Sequence, residues 1–428
     1  MPTPSLLIVP ARFKSGKLYS QIPTSGAGDF TVTRATTATR VNASGLIESV
    51  ASGIPRLDYF ASGGTVGCPA LLVEPSGTNS IRNNSMVGAV VGSPGTIPTN
   101  WIVGGVGLTQ QIVAVGTENG VSYIDLRLSG TATASTATLS FESATQIAAL
   151  TGQTWTISSY LKTISLPSPP SSFSLAITER NSGGGIVVQQ TTNVSLTSNL
   201  ARYTYSPTLN GGATTAFAQP RLFFNLVVGQ TYDFTVRVGY PQMELGSVAT
   251  SVIPTTTAAV TRNADVVLVS GAVSGSIGQL SGTIYAEVDA RLLSTNRSLL
   301  SLTLNSNTTD FINFQINTSN RLFARIRNKT GSLVDVVASG VTTTAGIHKL
   351  ACSYSSGDIT FALDGVVIGT NTNANTDFTA ALNCVLLGAG PGAATGGTQS
   401  AFLNDRILAA ALYTTRLSNA ELAALTSP

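Results

Sequence analysis

Apolar side chains return at every second residue through much of this 428-residue chain, and that repeat restricts what it folds into. In residues 231–238, Tyr232, Phe234, Val236 and Val238 share one side, and Asp233, Thr235 and Arg237 take the other. A helix would scatter these positions around its axis. A strand, whose side chains alternate across the sheet, gathers them on one face. Residues 172–178 repeat the pattern with Phe173, Leu175 and Ile177, and residues 154–161 with Trp155, Ile157 and Leu161. Residues 283–290 do so with Ile284, Ala286, Val288 and Ala290. Gly, Pro and Asn clusters separate the runs, and Asp364-Gly365 suits the positive φ angles of a two-residue hairpin turn. One helix is expected, at the end, where Ser418 and Glu421 stand at capping-box spacing. The chain therefore reads as all-β, with stacked sheets and a short C-terminal helix.

Charge is sparse. Only 10% of residues are Asp, Glu, Lys or Arg, and 23 basic against 20 acidic residues leave a formal net charge of +3. No basic stripe exists to neutralise a phosphate backbone, so nucleic acid is not an expected partner. A hydrophobic share of 43% is too high for a disordered chain. The apolar run at residues 6–9 is too short for a signal segment, and no membrane-length apolar run occurs. Synthesis in the cytoplasm without membrane insertion is the expectation.

The chain divides by pattern into three modules. Residues 1–82 are interrupted by Pro2, Pro4, Pro10, Pro23, Pro55 and Pro69, too often for long helices or central strands. They read as an extended docking arm. Residues 83–268 and 269–428 carry the strand patterns of two sandwiches. In the arm, Arg34, Arg40 and Arg56 are candidates for anchoring to a neighbouring subunit. Pairing with Asp29, Glu48 and Asp58 is the competing reading.

Catalytic chemistry has little to draw on. His348 is the one histidine, lies in an apparent strand, and has no Gly-x-Ser-x-Gly elbow to accompany it. Cys68, Cys352 and Cys384 are scattered, which suits neither a disulfide framework nor a zinc site. The Asn-rich loops around Asn305, Asn307 and Asp310, and around Asn371, Asn373, Asn375 and Asp377, alternate oxygen ligands as calcium loops do. Each has a single carboxylate, and Asn is ordinary turn material. No metal or cofactor is expected. Sugar binding needs aromatic faces and amide or carboxylate groups. Trp101, Tyr123, Tyr203 and Tyr205 are candidates in the second module, and Asp310, Asn313 and Arg325 in the third. For each aromatic the core is the competing destination.

Two stretches carry a resemblance. Residues 29–48 (DFTVTRATTATRVNASGLIE), with 55–59 (PRLDY) and 71–79 (LLVEPSGTN), form the first. Residues 242–265 (QMELGSVATSVIPTTTAAVTRNAD) form the second. Both resemble segments of bacteriophage virion proteins, mostly tail fibres, minor tail proteins and head-surface proteins. Residues 152–162 (GQTWTISSYLK) and 243–246 (MELG) resemble the jelly-roll carbohydrate-binding modules. His348 at a strand start, the Asp364-Gly365 hairpin and the closing 417–422 (LSNAEL) resemble the laminin-G-like, concanavalin A-like sandwich. The resemblance implies a docking module followed by a jelly-roll domain and a concanavalin A-like domain. It implies a non-enzymatic virion protein, assembled in the bacterial host cytoplasm, attached to other capsid or tail proteins. It further implies a homotrimer adhering to host-surface glycan through many weak contacts. A purely structural capsid decoration or head fibre is the first alternative, and a polysaccharide depolymerase, which needs only two carboxylates, the second.

Overall fold

In a computed structural model, the described residues are 2–59, 67–291, 295–337, 344–391 and 401–428. They are all-β apart from short 3-10 turns and one helix, Asn419–Thr426. The helix starts as its spacing predicts. The Ser418 hydroxyl accepts from the Glu421 amide, and the Glu421 carboxylate accepts from the Ser418 amide at 2.8 Å. The chain divides into two compact units. Met1–Ser76 folds with Asn263–Pro428, and Gly77–Arg262 forms the other.

The first unit is a sandwich of two antiparallel sheets. One runs in the order Val366–Asn371, Asp358–Leu363, Gly346–Ser355, Ser281–Ala290, Asp405–Tyr413, Ala70–Val73, Leu57–Asp58, with Leu6–Ile8 also paired to Asp405–Tyr413. The other runs Phe13–Lys14, Lys17–Leu18, Phe30–Thr33, Val266–Ser270, Cys384–Leu387, Arg297–Thr303, Phe311–Ile316, Leu322–Arg327, Leu333–Val337. The apolar half of each alternating strand meets its counterpart in one core; Phe314 and Phe361, from opposite sheets, lie 6.0 Å apart. The expected hairpin forms, with φ of 47° at Asp364 and 83° at Gly365.

The leading residues are part of this sandwich and not a free arm ending at residue 82. Leu6, Ile8, Leu18, Phe30, Val32, Leu57, Leu71 and Val73 fill the same core as the C-terminal strands. The prolines interrupt the segment as expected, but the short strands between them are long enough to pair in both sheets. The boundaries read from pattern, 82 and 268, differ from the observed 76 and 262 by six residues each. The substantive difference is that the first and third segments fold together.

The second unit is also a sandwich. One sheet is ordered Ile102–Gly104, Thr136–Ser140, Phe217–Asn225, Ser172–Arg180, Ile186–Val194. The other is ordered Leu108–Glu118, Val121–Thr131, Thr231–Leu245, Trp155–Ser168, Ala201–Tyr205. Tyr232, Phe234, Val236 and Val238 face the core as their period demands, and Phe234 meets Phe224 of the opposite sheet at 5.2 Å.

The stretches that resemble virion proteins build much of the buried polar framework. In the first unit, Arg34, Arg56, Glu74 and Asp265 form one sealed ion-pair network. In the second, the Glu244 carboxylate accepts from the Thr250 amide at 2.9 Å and from its hydroxyl at 2.7 Å. The Asn84 side chain accepts from the Thr255 amide at 2.7 Å. Such groups are costly to bury unless paired, so these residues specify the fold.

Candidate functional site

In the sheet of the first unit that contains Phe311–Ile316, alternation leaves one side chain in two pointing away from the core. Ile312, Phe314 and Ile316 face inward, so Phe311, Asn313 and Gln315 face outward. On the flanking strands the outward set includes Ser301, Phe323, Arg325 and Asp335. Register places Ser301 opposite Asn313, Asn313 opposite Arg325, and Arg325 opposite Asp335. A hydroxyl, an amide, a guanidinium and a carboxylate thus form one row across four strands.

The ends of this row differ. Arg325 donates to both carboxylate oxygens of Asp335, at 2.6 and 2.7 Å, and its guanidinium lies 5.0 Å from the Phe323 ring. The Asp335 carboxylate holds that guanidinium above its usual range. Both side chains remain about a third exposed, at 28% and 32%. Asn313 is fully buried, and neither its Oδ1 nor its Nδ2 has a hydrogen-bond partner among the described residues. The Ser301 hydroxyl donates to the Ala389 carbonyl at 2.9 Å. An unpaired buried amide costs about 1–3 kcal/mol, so Asn313 is an expensive residue to keep here for packing alone.

The remaining candidates are dispersed. Asp310 is buried, and its carboxylate accepts from the Thr379 amide at 3.1 Å and the Thr309 hydroxyl at 3.2 Å, which ties a loop. Trp101 is a core residue; its Nε1 donates to the Asn83 carbonyl at 2.8 Å and its ring meets Phe141 edge-on. Tyr203 and Tyr205 pack against the core of the second unit, Tyr203 donating to the Ser195 carbonyl at 2.8 Å. Burial pushes the Tyr205 hydroxyl up. Tyr123 alone faces outward, between Gly116 and Gly239 in register, with the Arg237 guanidinium 3.3 Å from its ring centre. The four aromatics therefore make no common platform.

The docking arginines also differ from expectation. Arg34 and Arg56 are fully buried in ion pairs with Asp265 and, for Arg56, Glu74, and so are closed to a neighbouring subunit. Burial disfavours the Arg56 charge, but Asp265 and Glu74 more than offset it and hold the group above its usual range. Arg40 pairs with Glu48 as the competing reading has it, whereas Asp58 pairs with Arg406. Local sequence carried no sign of these long-range partners.

Other reactive side chains are occupied. His348 lies 2.6 Å from the Asp364 carboxylate and 2.9 Å from the Thr344 carbonyl. Cys352 and Cys384 are buried free thiols. Asn307 and Asn375 use their side-chain oxygens on nearby backbone amides, as turn residues do. No group of three or more His, Cys, Asp or Glu side chains placed to hold a metal ion occurs among the described residues. No helix among them is long and apolar enough to cross a membrane.

Comparison with known proteins adds the following. No curated protein matches the chain in sequence. Among solved structures, the Ruminococcus gnavus IT-sialidase CBM40 is 18% identical, covering 37% of this chain and 88% of that one, with a TM-score of 0.32. Domain 4 of AbnA, a GH43 extracellular arabinanase from Geobacillus stearothermophilus, is 15% identical over 38% of this chain and 73% of that one, with a TM-score of 0.31. A SAP-like pentraxin from Limulus polyphemus is 12% identical over 34% and 68%, with a TM-score of 0.27. These likenesses are too distant to bear on function. The sequence pattern of the concanavalin A-like lectin/glucanases superfamily matches residues 262–423, which include the outward row of Ser301, Asn313, Arg325 and Asp335.

Proposed function

We propose that this chain is a non-enzymatic carbohydrate-binding protein of a bacteriophage particle surface. The observation that carries the binding reading is the accessible end of the outward row, Arg325 and Asp335, within the segment that matches a lectin and glucanase superfamily. Arg325 and Asp335, each about a third exposed, offer a donor fork and carboxylate acceptors that complement vicinal sugar hydroxyls. Hydrolysis would need two carboxylates facing each other across the scissile bond. Asp335 is held by Arg325, and the other members of its row carry no carboxyl group.

The virion assignment is supported by the stretches at residues 29–79 and 242–265. Those stretches resemble segments of phage tail and head-surface proteins. A homotrimer fits this reading, since closed symmetry is one way to cover edge strands such as Val366–Asn371. A glycan array run with a reducing-sugar assay tests the function. Binding that Arg325→Ala and Asp335→Ala weaken, without sugar release, supports it. Release of reducing ends would make the protein a depolymerase, and no retention of any glycan would leave a structural role. Cryo-microscopy of intact particles would place the chain on tail or capsid.

A further inference from the structure

The second unit carries an arginine of unusual surroundings. In its sheet of five strands, Leu139, Leu175, Leu222 and Phe224 face the core, so Ser140, Arg221 and Phe223 face outward. Arg221 stands opposite Ser140 on one neighbouring strand and opposite the small Ala176 on the other. Its guanidinium donates to the hydroxyls of Ser140 at 3.1 Å, Thr138 at 3.0 Å and Thr178 at 3.4 Å, and lies 4.8 Å from the Phe223 ring. Arg180 reaches the same face, donating to the Gln219 side-chain oxygen at 3.1 and 2.6 Å and to the Gly184 carbonyl at 3.2 Å.

Neither arginine has a carboxylate partner among the described residues. Elsewhere in this unit, Arg82 pairs with Glu142, Arg127 with Asp233, and Arg237 with Asp125 and Glu118. The carboxylates of Glu142 and Glu179 are committed elsewhere. Glu142 belongs to Arg82, and Glu179 accepts from Thr215, Gln190 and the amides of Asn210 and Gly211. Burial, with the positive charge of Arg180 added, brings Arg221 down to about 10. A half-buried cation held only by neutral groups is under-compensated. Thr138, the half-buried one of the three hydroxyl residues, keeps its own proton to donate, and a guanidinium fork matches a planar anion. The face continues across Ala176 to Thr191 and, one row away, across Thr178 to Gln189, both exposed and uncharged. Cationic donors beside a hydroxyl and amide surface suit an anion borne on a polyol.

We propose that the outward face around Arg221 and Arg180 binds the anionic group, carboxylate or sulfate, of an acidic saccharide. The site belongs to the second unit and the row of Asn313 and Arg325 to the first, and each can fail without the other.

The test is calorimetry on the full chain with four probes: an oligogalacturonate hexasaccharide, its methyl ester, a sulfated oligosaccharide and inorganic sulfate. At low salt, at least one charged oligosaccharide binds more tightly than the ester, and added salt weakens it. Arg221→Gln lowers that affinity by about tenfold or more, Arg180→Gln lowers it less, and Arg127→Gln, which removes a carboxylate-paired arginine of the same unit, leaves it unchanged. Melting curves verify that the variants fold, and Arg180→Gln serves alone if Arg221→Gln does not. The proposal is overturned if neither charged oligosaccharide outbinds the ester, if the Arg221 and Arg180 variants bind like the wild type, or if inorganic sulfate binds as tightly as the saccharides.

Discussion

A guanidinium nitrogen of Arg34 lies 2.8 Å from Oδ1 of Asp265, a residue 231 positions later in the chain. Arg56 binds the same carboxylate and also Glu74, at 2.7 Å, and the four side chains are sealed from water. Removing Asp265 takes a carboxylate from Arg34 and one of two from Arg56, where solvent cannot reach them. Asp265→Ala is expected to destabilise the first unit by about 3–5 kcal/mol, read from chemical denaturation. A loss below about 1 kcal/mol would show that the network adds little.

Asn313 separates stability from binding. Leucine at this position removes an unpaired amide from a buried setting and fills a similar volume. Asn313→Leu is expected to leave the protein as stable or up to about 1–3 kcal/mol more stable, while glycan binding at the exposed Arg325 and Asp335 persists. Thermal melts and a glycan array check the two halves. A clear drop in melting temperature would mean the amide has a partner after all.

Glu179 makes acid sensitivity measurable. Burial alone would raise its carboxyl, but donors from Thr215, Asn210, Gln190 and Gly211 prevail and hold it below the usual range. A folded value below the unfolded one gives stability that is present above the unfolded value, near 4.3. That stability is lost as pH falls through the folded one. Glu179→Gln is expected to cost about 1–3 kcal/mol at neutral pH and to flatten the decline in stability under acid. Denaturation midpoints between neutral and acid pH test this, and parallel curves for the two proteins would refute it.

Gly239 leaves room for its neighbours. A Cβ there would lie 2.5 Å from Val121 Cγ1 and 2.9 Å from the Ser122 carbonyl, beside the outward ring of Tyr123. Gly239→Ala is expected to cost about 1–3 kcal/mol by overpacking. Gly152→Ala serves as a contrast, since an added Cβ meets nothing there and only the backbone angle, φ 86°, is penalised. Equal melting temperatures for Gly239→Ala and the wild type would exclude crowding.

Much of the fold is legible in sequence because its signal is local. Alternation at 231–238 survives in the fold because each inward residue needs only its own strand to choose a face. The hairpin at Asp364 and the cap at Ser418 are equally short-range. What local pattern does not carry is partnership. Nothing around Arg34 or Arg56 announces Asp265, and their isolation among small residues reads equally well as exposure. Trp101 illustrates the converse: its polar tip finds a backbone carbonyl, so the ring goes inward. The candidate row was half visible, with Asn313 and Arg325 foreseen but Ser301 and Asp335 supplied only by register. Arg221 left no mark in the sequence, since lacking a counter-charge is a property of folded neighbours.

The interleaving of the first unit has a temporal consequence. A ribosome extrudes Leu6–Ile8 long before Asp405–Tyr413, the strand it must pair with; Ser5 and Leu412, joined by a backbone hydrogen bond, are 407 positions apart. During elongation, the intervening Gly77–Arg262 has all its strands in hand first and can close on itself. The nascent leading strands meanwhile wait with unmet edges until Asp405–Tyr413 emerges, which exposes them to aggregation before this sandwich can close.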